Sequence, residues 1–106
     1  MKLDMNALMK QAQQMQEQMA KAQEEAQNEI AEASAGGGMV TARANGAGAL
    51  LSLTIDPRAV DPDDVEMLAD MVVAATNEAL RSAQQAVETK LRGQMPDLGA
   101  LGLPGL

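Results

Sequence analysis

A chain of 106 residues without Phe, Tyr, Trp, His or Cys is one small domain with a core limited to Leu, Ile, Val, Met and Ala. That inventory leaves no histidine to move protons near neutrality, no thiol nucleophile and no disulfide framework, so an enzyme is not expected. The net charge of −7 argues against a simple polyanion binder, but the acids crowd into residues 23–78, while residues 1–22 and 79–106 are each mildly basic.

The first element is a helix from about Asp4 to Ala26. Met5, Leu8, Ala12, Met15, Met19, Ala22 and Ala26 recur at alternating spacings of three and four, a heptad seam. Gln, Glu and Lys, all good helix formers, fill the remaining positions. A stripe this narrow and long outruns a small domain, which predicts an intermolecular role for Met15 and Met19.

The helix should fail between Gln27 and Ser34. Beyond it Ile30, Glu32 and Ser34 alternate with Ala31, Ala33 and Ala35, a pattern that suits a short edge strand as well as a frayed helix. Three glycines, Gly36 to Gly38, then precede a second alternating stretch in which Val40, Ala42 and Ala44 share a face. A phosphate cradle would end at a helix N-terminus and supply a lysine. Here the chain continues into Met-Val-Thr-Ala-Arg, so the glycines read as a hinge that joins two strands or turns a corner from helix to strand.

Asn45-Gly46 predicts a two-residue hairpin loop, since both central positions of a type I′ turn need positive φ. Leu51, Leu53 and Ile55 should form the inward face of the following strand. Asp56-Pro57 ends it. The second helix is expected to start with Asp61 as N-cap, Pro62 in the first turn and Val60 and Val65 as a hydrophobic staple. Its buried stripe is Val65, Leu68, Val72, Ala75, Ala79, Ala83, Ala86 and Val87, and it ends near Arg92-Gly93. Residues 1–93 thus form one domain, and 94–106, rich in Gly and Pro, form a tail.

Metal binding and catalysis find little support. Asp61, Asp63, Asp64 and Glu66 lack the central glycine and distant glutamate of a calcium loop, and acids are expected in the first turn of a capped helix. Ser34, Ser52 and Ser82 have no histidine base. No cofactor is expected. No stretch of about 20 apolar residues is present to cross a membrane, and the N-terminus does not read as a secretory signal. The absence of cysteine fits a reducing cytoplasm. An aromatic-free core has too little to bury alone, so the chain is expected to pair with a second copy.

Several stretches in order, "LMKQAQQMQEQMAKAQEE" (8–25), "AGGGMVTARANG" (35–46), "LTIDPRAV" (53–60), "LADMVVAATNEAL" (68–80) and "LPGL" (103–106), resemble the YbaB/EbfC nucleoid-associated proteins. The resemblance implies an α+β fold: α-β-β-β-α subunits with a small antiparallel sheet and long terminal helices, paired as a tweezer-like homodimer. It also implies binding of duplex DNA with little sequence preference, and a place in the nucleoid. The family's central hairpin commonly carries charge, whereas here it reads "NGAGALLS", so this hairpin is not expected to touch DNA.

Contact with DNA then falls to the cations outside the acidic middle: Lys2, Lys10, Lys21, Arg81, Lys90 and Arg92. The dimer interface is assigned to Met15, Met19, Leu51, Leu53 and Ile55. The competing expectation is an acidic homodimeric module that presents its helices to a protein of the replication or repair machinery.

Overall fold

Asp4 begins the first helix by accepting hydrogen bonds from the backbone N–H groups of Asn6 (3.1 Å) and Ala7 (3.4 Å), which no helical carbonyl can serve. The computed structural model describes residues 4–94, so Lys2 and all of the tail but Gln94 lie outside the described residues. The elements are α1 (Met5–Gln27), β1 (Ile30–Ala35), β2 (Val40–Asn45), β3 (Leu50–Ile55), a single 3₁₀ turn (Pro57–Ala59) and α2 (Val65–Gln94). The expected α-β-β-β-α order is met, with an antiparallel sheet in the order β1-β2-β3.

The triple glycine closes the β1–β2 hairpin. Gly36, Gly37 and Gly38 have φ of 64°, 68° and 93°, a run that L side chains rarely adopt. Beyond them Ala35 pairs with Val40, and the ladder runs back to Ile30 opposite Asn45. The face turned away from α2 is polar: Ser34 and Thr41 share a hydrogen bond (3.0 Å), and Arg43 lies 3.8 Å from Glu32.

The second hairpin differs from the sequence expectation. Neither Asn45 nor Gly46 has positive φ; Gly48 does, at 85°. Asn45 instead opens a wider loop, its side-chain oxygen accepting from Ala47 and Ala49 while Gly48 donates to its carbonyl. An Asx-type turn of this kind competes well with a two-residue turn because the side chain replaces a missing ladder bond. The ladder then slips: Arg43 pairs with Ser52 but Ala44 with Leu50. Leu53 and Ile55 stand opposite Ala42 and Val40 as expected. Leu51, however, is the skipped residue, and Leu50 takes the place expected for it.

Helix α2 also starts later than expected. The Asp61 carboxylate accepts from the N–H of Asp63 (2.9 Å), and the Asp64 N–H bonds back to the Asp61 carbonyl, closing a turn outside the helix. Asp64 performs the capping, accepting from Met67 three residues on (3.2 Å). The staple does not form, because the late start moves Val60 and Val65 out of its positions; both are exposed.

From Leu68 onward the expected stripe holds. Ala75, Ala79 and Ala83 are fully buried against Val40, Ala42 and Ala44, with Leu68, Val72, Ala31, Ala33 and Ala35 packed around them. Alanine on both surfaces lets helix and sheet approach closely, but it leaves Val40 as the largest fully buried side chain.

The helix lies over β1 and β2 and scarcely reaches β3. Leu53 therefore lies on the α2 side of the sheet without being covered, and Leu51 is skipped in the ladder: Leu50, Leu51 and Leu53 are exposed, and Ile55 is half-buried. The radius of gyration, 21.3 Å, far exceeds the about 13 Å of a compact chain this long. The excess is α1. Only Ala22 and Ala26 of that helix are buried, so residues 4–21 stand clear of the body as an arm about 27 Å long at 1.5 Å per residue.

Candidate nucleic-acid interface

Seven of the eight Lys and Arg residues lie among the described residues, and four of these seven are engaged by carboxylates. Arg58 grips Asp56 through Nε (3.1 Å) and Nη2 (2.8 Å); this pair holds the Asp56 carboxyl below its usual range and raises the guanidinium. Arg81 makes the same two-pronged contact with Glu78, one turn earlier in α2, lowering that carboxyl in turn. Arg43 faces Glu32 across the sheet. Lys90 donates to Glu29 at 2.8 Å across the meeting of α2 with the root of α1. That hydrogen bond, helped by the charges of Glu29 and Glu25 against partial desolvation, raises the Lys90 amine above its ordinary value.

Lys10, Lys21 and Arg92 have no carboxylate partner among the described residues. Of the cations expected to meet DNA, the structure thus leaves these three free, ties Arg81 and Lys90 to acids, and does not describe Lys2. A phosphate can displace a solvent-exposed carboxylate, because exposed ion pairs are worth little. Arg81, more than half exposed, remains open to such exchange. Lys90, two-thirds covered, is the more committed.

Helical geometry sets the arm's two faces. Lys10 and Lys21 are eleven residues apart, which at about 100° per residue brings them within about 20° of one another. Gln14, Glu17 and Gln18 line the same side. Met15 and Met19 lie roughly opposite, with Ala12 and Ala20 between them along an open apolar furrow. Met5, Leu8, Met15 and Met19 are all exposed, so this part of the seam is uncovered among the described residues. Its C-terminal members, Ala22 and Ala26, pack against the body.

The arm root is the best-anchored part of this surface. The N–H of Gly46 bonds to the Glu29 carbonyl (2.9 Å) and that of Glu29 to the Ala26 carbonyl (3.1 Å). A Cβ on Gly46 would overlap the Ala26 carbonyl oxygen and a methyl group of Val87. Glycine is required there for space rather than for φ. The Glu29–Lys90 pair spans 61 positions of sequence, so no local pattern announces it.

None of the four carboxylates at residues 61–66 joins a metal-binding cluster among the described residues; Asp61 and Asp64 are occupied by backbone N–H groups. No helix of the described residues is long and apolar enough to cross a membrane.

The model of the YbaB/EbfC DNA-binding family matches residues 1–98. A nucleoid-associated protein of Acetivibrio thermocellus is 50% identical over 103 residues, covering 97% of this chain and 89% of its own length. One of Clostridium novyi is 47% identical over 104 residues, covering 98% of this chain and 89% of its own. Among solved structures, an uncharacterized protein from Helicobacter pylori superposes with a TM-score of 0.64 over 83% of this chain and 92% of its own, and at 24% identity it speaks for the fold alone.

Proposed function

The chain belongs to the YbaB/EbfC DNA-binding family, and on that footing we propose that it binds duplex DNA as a homodimer with little sequence preference, through lysines on its projecting arms. The observation that carries this reading is the arm itself. Residues 4–21 are exposed throughout and hold Lys10 and Lys21 on one side with Glu17 beside them, while most of the chain's acids lie in the body. A dimer brings two such arms together; each balances Lys10 and Lys21 against Asp4 and Glu17, so a protein of strongly negative net charge offers its lysines on surfaces far less acidic than the body.

The dimer reading rests on β3. Leu50, Leu51 and Leu53 lie exposed on an edge strand that α2 does not cover, a patch that a second copy would bury. Non-catalytic packaging or marking of DNA in the nucleoid follows from the same reading, since the relatives are named for that compartment. Arg92 adds to the arm lysines, with Arg81 joining if phosphate displaces Glu78.

The test is a titration of labelled duplexes of unrelated sequence at several salt concentrations. Binding is expected at low salt, equal among sequences, with a modest salt slope of about 0.9 per phosphate neutralised. Lys10→Glu with Lys21→Glu should abolish it while the dimer stays folded. Arg43→Glu, on the polar sheet face, should matter less. A wild type that never shifts DNA at low salt transfers the arm's exposed Met and Leu stripe to the competing reading, a scaffold that binds a replication or repair protein.

A further inference from the structure

Four contacts converge where α1 meets the body. Glu29 bonds to Lys90 through its side chain and to Gly46 through its carbonyl. Gly46 lies so close to Ala26 and Val87 that no side chain fits between them. Ala22 and Ala26, the last two members of the α1 seam, are buried at the same place. From Asp4 to Lys21 every residue is exposed among the described residues. The direction of the whole arm is therefore decided within its last two turns and the first residue pair after it.

We propose that Glu29, Lys90 and Gly46 act as positioning residues that lock the angle at which the arm leaves the body, and so fix where its lysines meet DNA. This rests on the DNA-binding reading above. A lever about 27 Å long magnifies small changes at its root: a tilt of about 10° there moves the tip by about 5 Å, comparable to one turn of helix. The lock joins the three elements that must agree on that angle, namely α1, the β2–β3 loop and α2. Glu29 reaches all three. It follows α1 directly, its carbonyl takes the loop, and its carboxylate takes α2.

Simple electrostatics and the lock make opposite forecasts for one substitution. Glu29→Ala removes an anion and frees Lys90, so charge alone would tighten DNA binding. The lock forecasts weaker binding, because an arm of variable angle presents its lysines in register less often.

The protein has no cysteine, so Gln11→Cys on the arm and Gln84→Cys on the exposed side of α2 give a unique pair of spin-label sites. Labelled chains diluted with unlabelled protein report the distance within one subunit. Glu29→Ala is expected to broaden that distribution and weaken binding to a mixed-sequence duplex several-fold, with circular dichroism unchanged. Glu29→Lys combined with Lys90→Glu is expected to restore both. Gly46→Val should displace the mean distance rather than merely broaden it, since the overlap is with a backbone oxygen; if that variant does not fold, the Glu29 and Lys90 series decides alone.

Distances unchanged by Glu29→Ala overturn the lock, as do broadened distances with binding unchanged or tighter. Should the wild type bind no duplex at low salt, the functional reading falls and with it the DNA half of this proposal, while the label distances still decide whether the root is locked.

Discussion

Ala12 of α1 and Ala79 of α2 hold equivalent places in their apolar stripes, yet Ala12 is exposed and Ala79 completely buried. The difference lies in what faces them. Ala79 meets a sheet surface that is itself alanine and valine, and helix and sheet close until no gap remains. Ala12 is exposed, on an arm whose Met and Leu side chains are uncovered among the described residues. One stripe is spent on folding and the other is left over. Proteins of this size rarely leave a long apolar seam uncovered without using it.

Four experiments separate arm from body. The largest effect is expected at the body's uncovered edge: Leu51→Ala with Leu53→Ala should turn the dimer into monomer in sedimentation and lower the melting temperature. A buried leucine truncated to alanine costs about 2–5 kcal/mol. Met15→Ala with Met19→Ala on the arm should weaken dimerisation less. A folded, cooperative monomer of the wild type at micromolar concentration would show that the β3 leucines pair with nothing.

Next comes overpacking. Ala79→Leu should cost about 1–3 kcal/mol in denaturant unfolding, because the space beneath α2 admits no extra methylenes. Ala12→Leu should stay within about 0.5 kcal/mol, as surface changes do. Equal costs would erase the distinction between the two stripes.

Caps come third. Asp64→Ala should cost about 1 kcal/mol, since its carboxylate holds the Met67 N–H at the start of the body's main helix. Asp61→Ala should cost less, and Asp4→Ala should fray the arm without lowering the melting temperature of the body. A larger loss at Asp61 would place the cap where the sequence suggested.

Smallest is the pH dependence. Asp56 and Glu78 have carboxyls lowered by Arg58 and Arg81. Their contribution is present above the ordinary carboxylate values of about 4 and is lost as pH falls through their depressed folded values. Lys90 has the opposite sign. Its amine is raised, so its contribution is complete below the ordinary lysine value of about 10.4 and fades as pH rises through the folded one. Alkaline titration should therefore loosen the arm root before the sheet, seen as earlier hydrogen exchange near Glu29. An arm root as firm at high pH as at neutrality would remove Lys90 from it.

Periodicity over many residues is the most legible signal in this chain. Both helices, the second and third strands and the Val40–Ala42–Ala44 face stand where alternation and heptads put them. Ile30–Ala35, which alternation left open between an edge strand and a frayed helix, is a strand as the family resemblance implied. The triple glycine was legible as a hinge rather than a phosphate cradle, because a strand pattern follows it in place of a helix. Local chemistry misled where two acceptors or two glycines competed. Asp61 and Asp64 can each cap a helix, and the first is consumed by its own turn. Gly46 and Gly48 can each take positive φ, and the second does. The one-residue slip that exchanges Leu51 for Leu50 follows from that choice.

Of the candidate interface, the sequence supplied the cations and their clustering toward the ends of the chain. It could not say which were already spoken for. Arg81 and Glu78, three apart on one helix, are a pairing that spacing permits. Lys90 and Glu29 are joined only because α2 folds back over the sheet to meet the root of α1.

By itself, then, the sequence determined the period, apolar face and charge of its segments and the absence of His and Cys. Tertiary structure decided which face is covered. That depends on distances between elements far apart in the chain, and no local pattern encodes that α2 stops short of β3, that α1 outruns the body, or that Gly46 must be bare for the arm to seat.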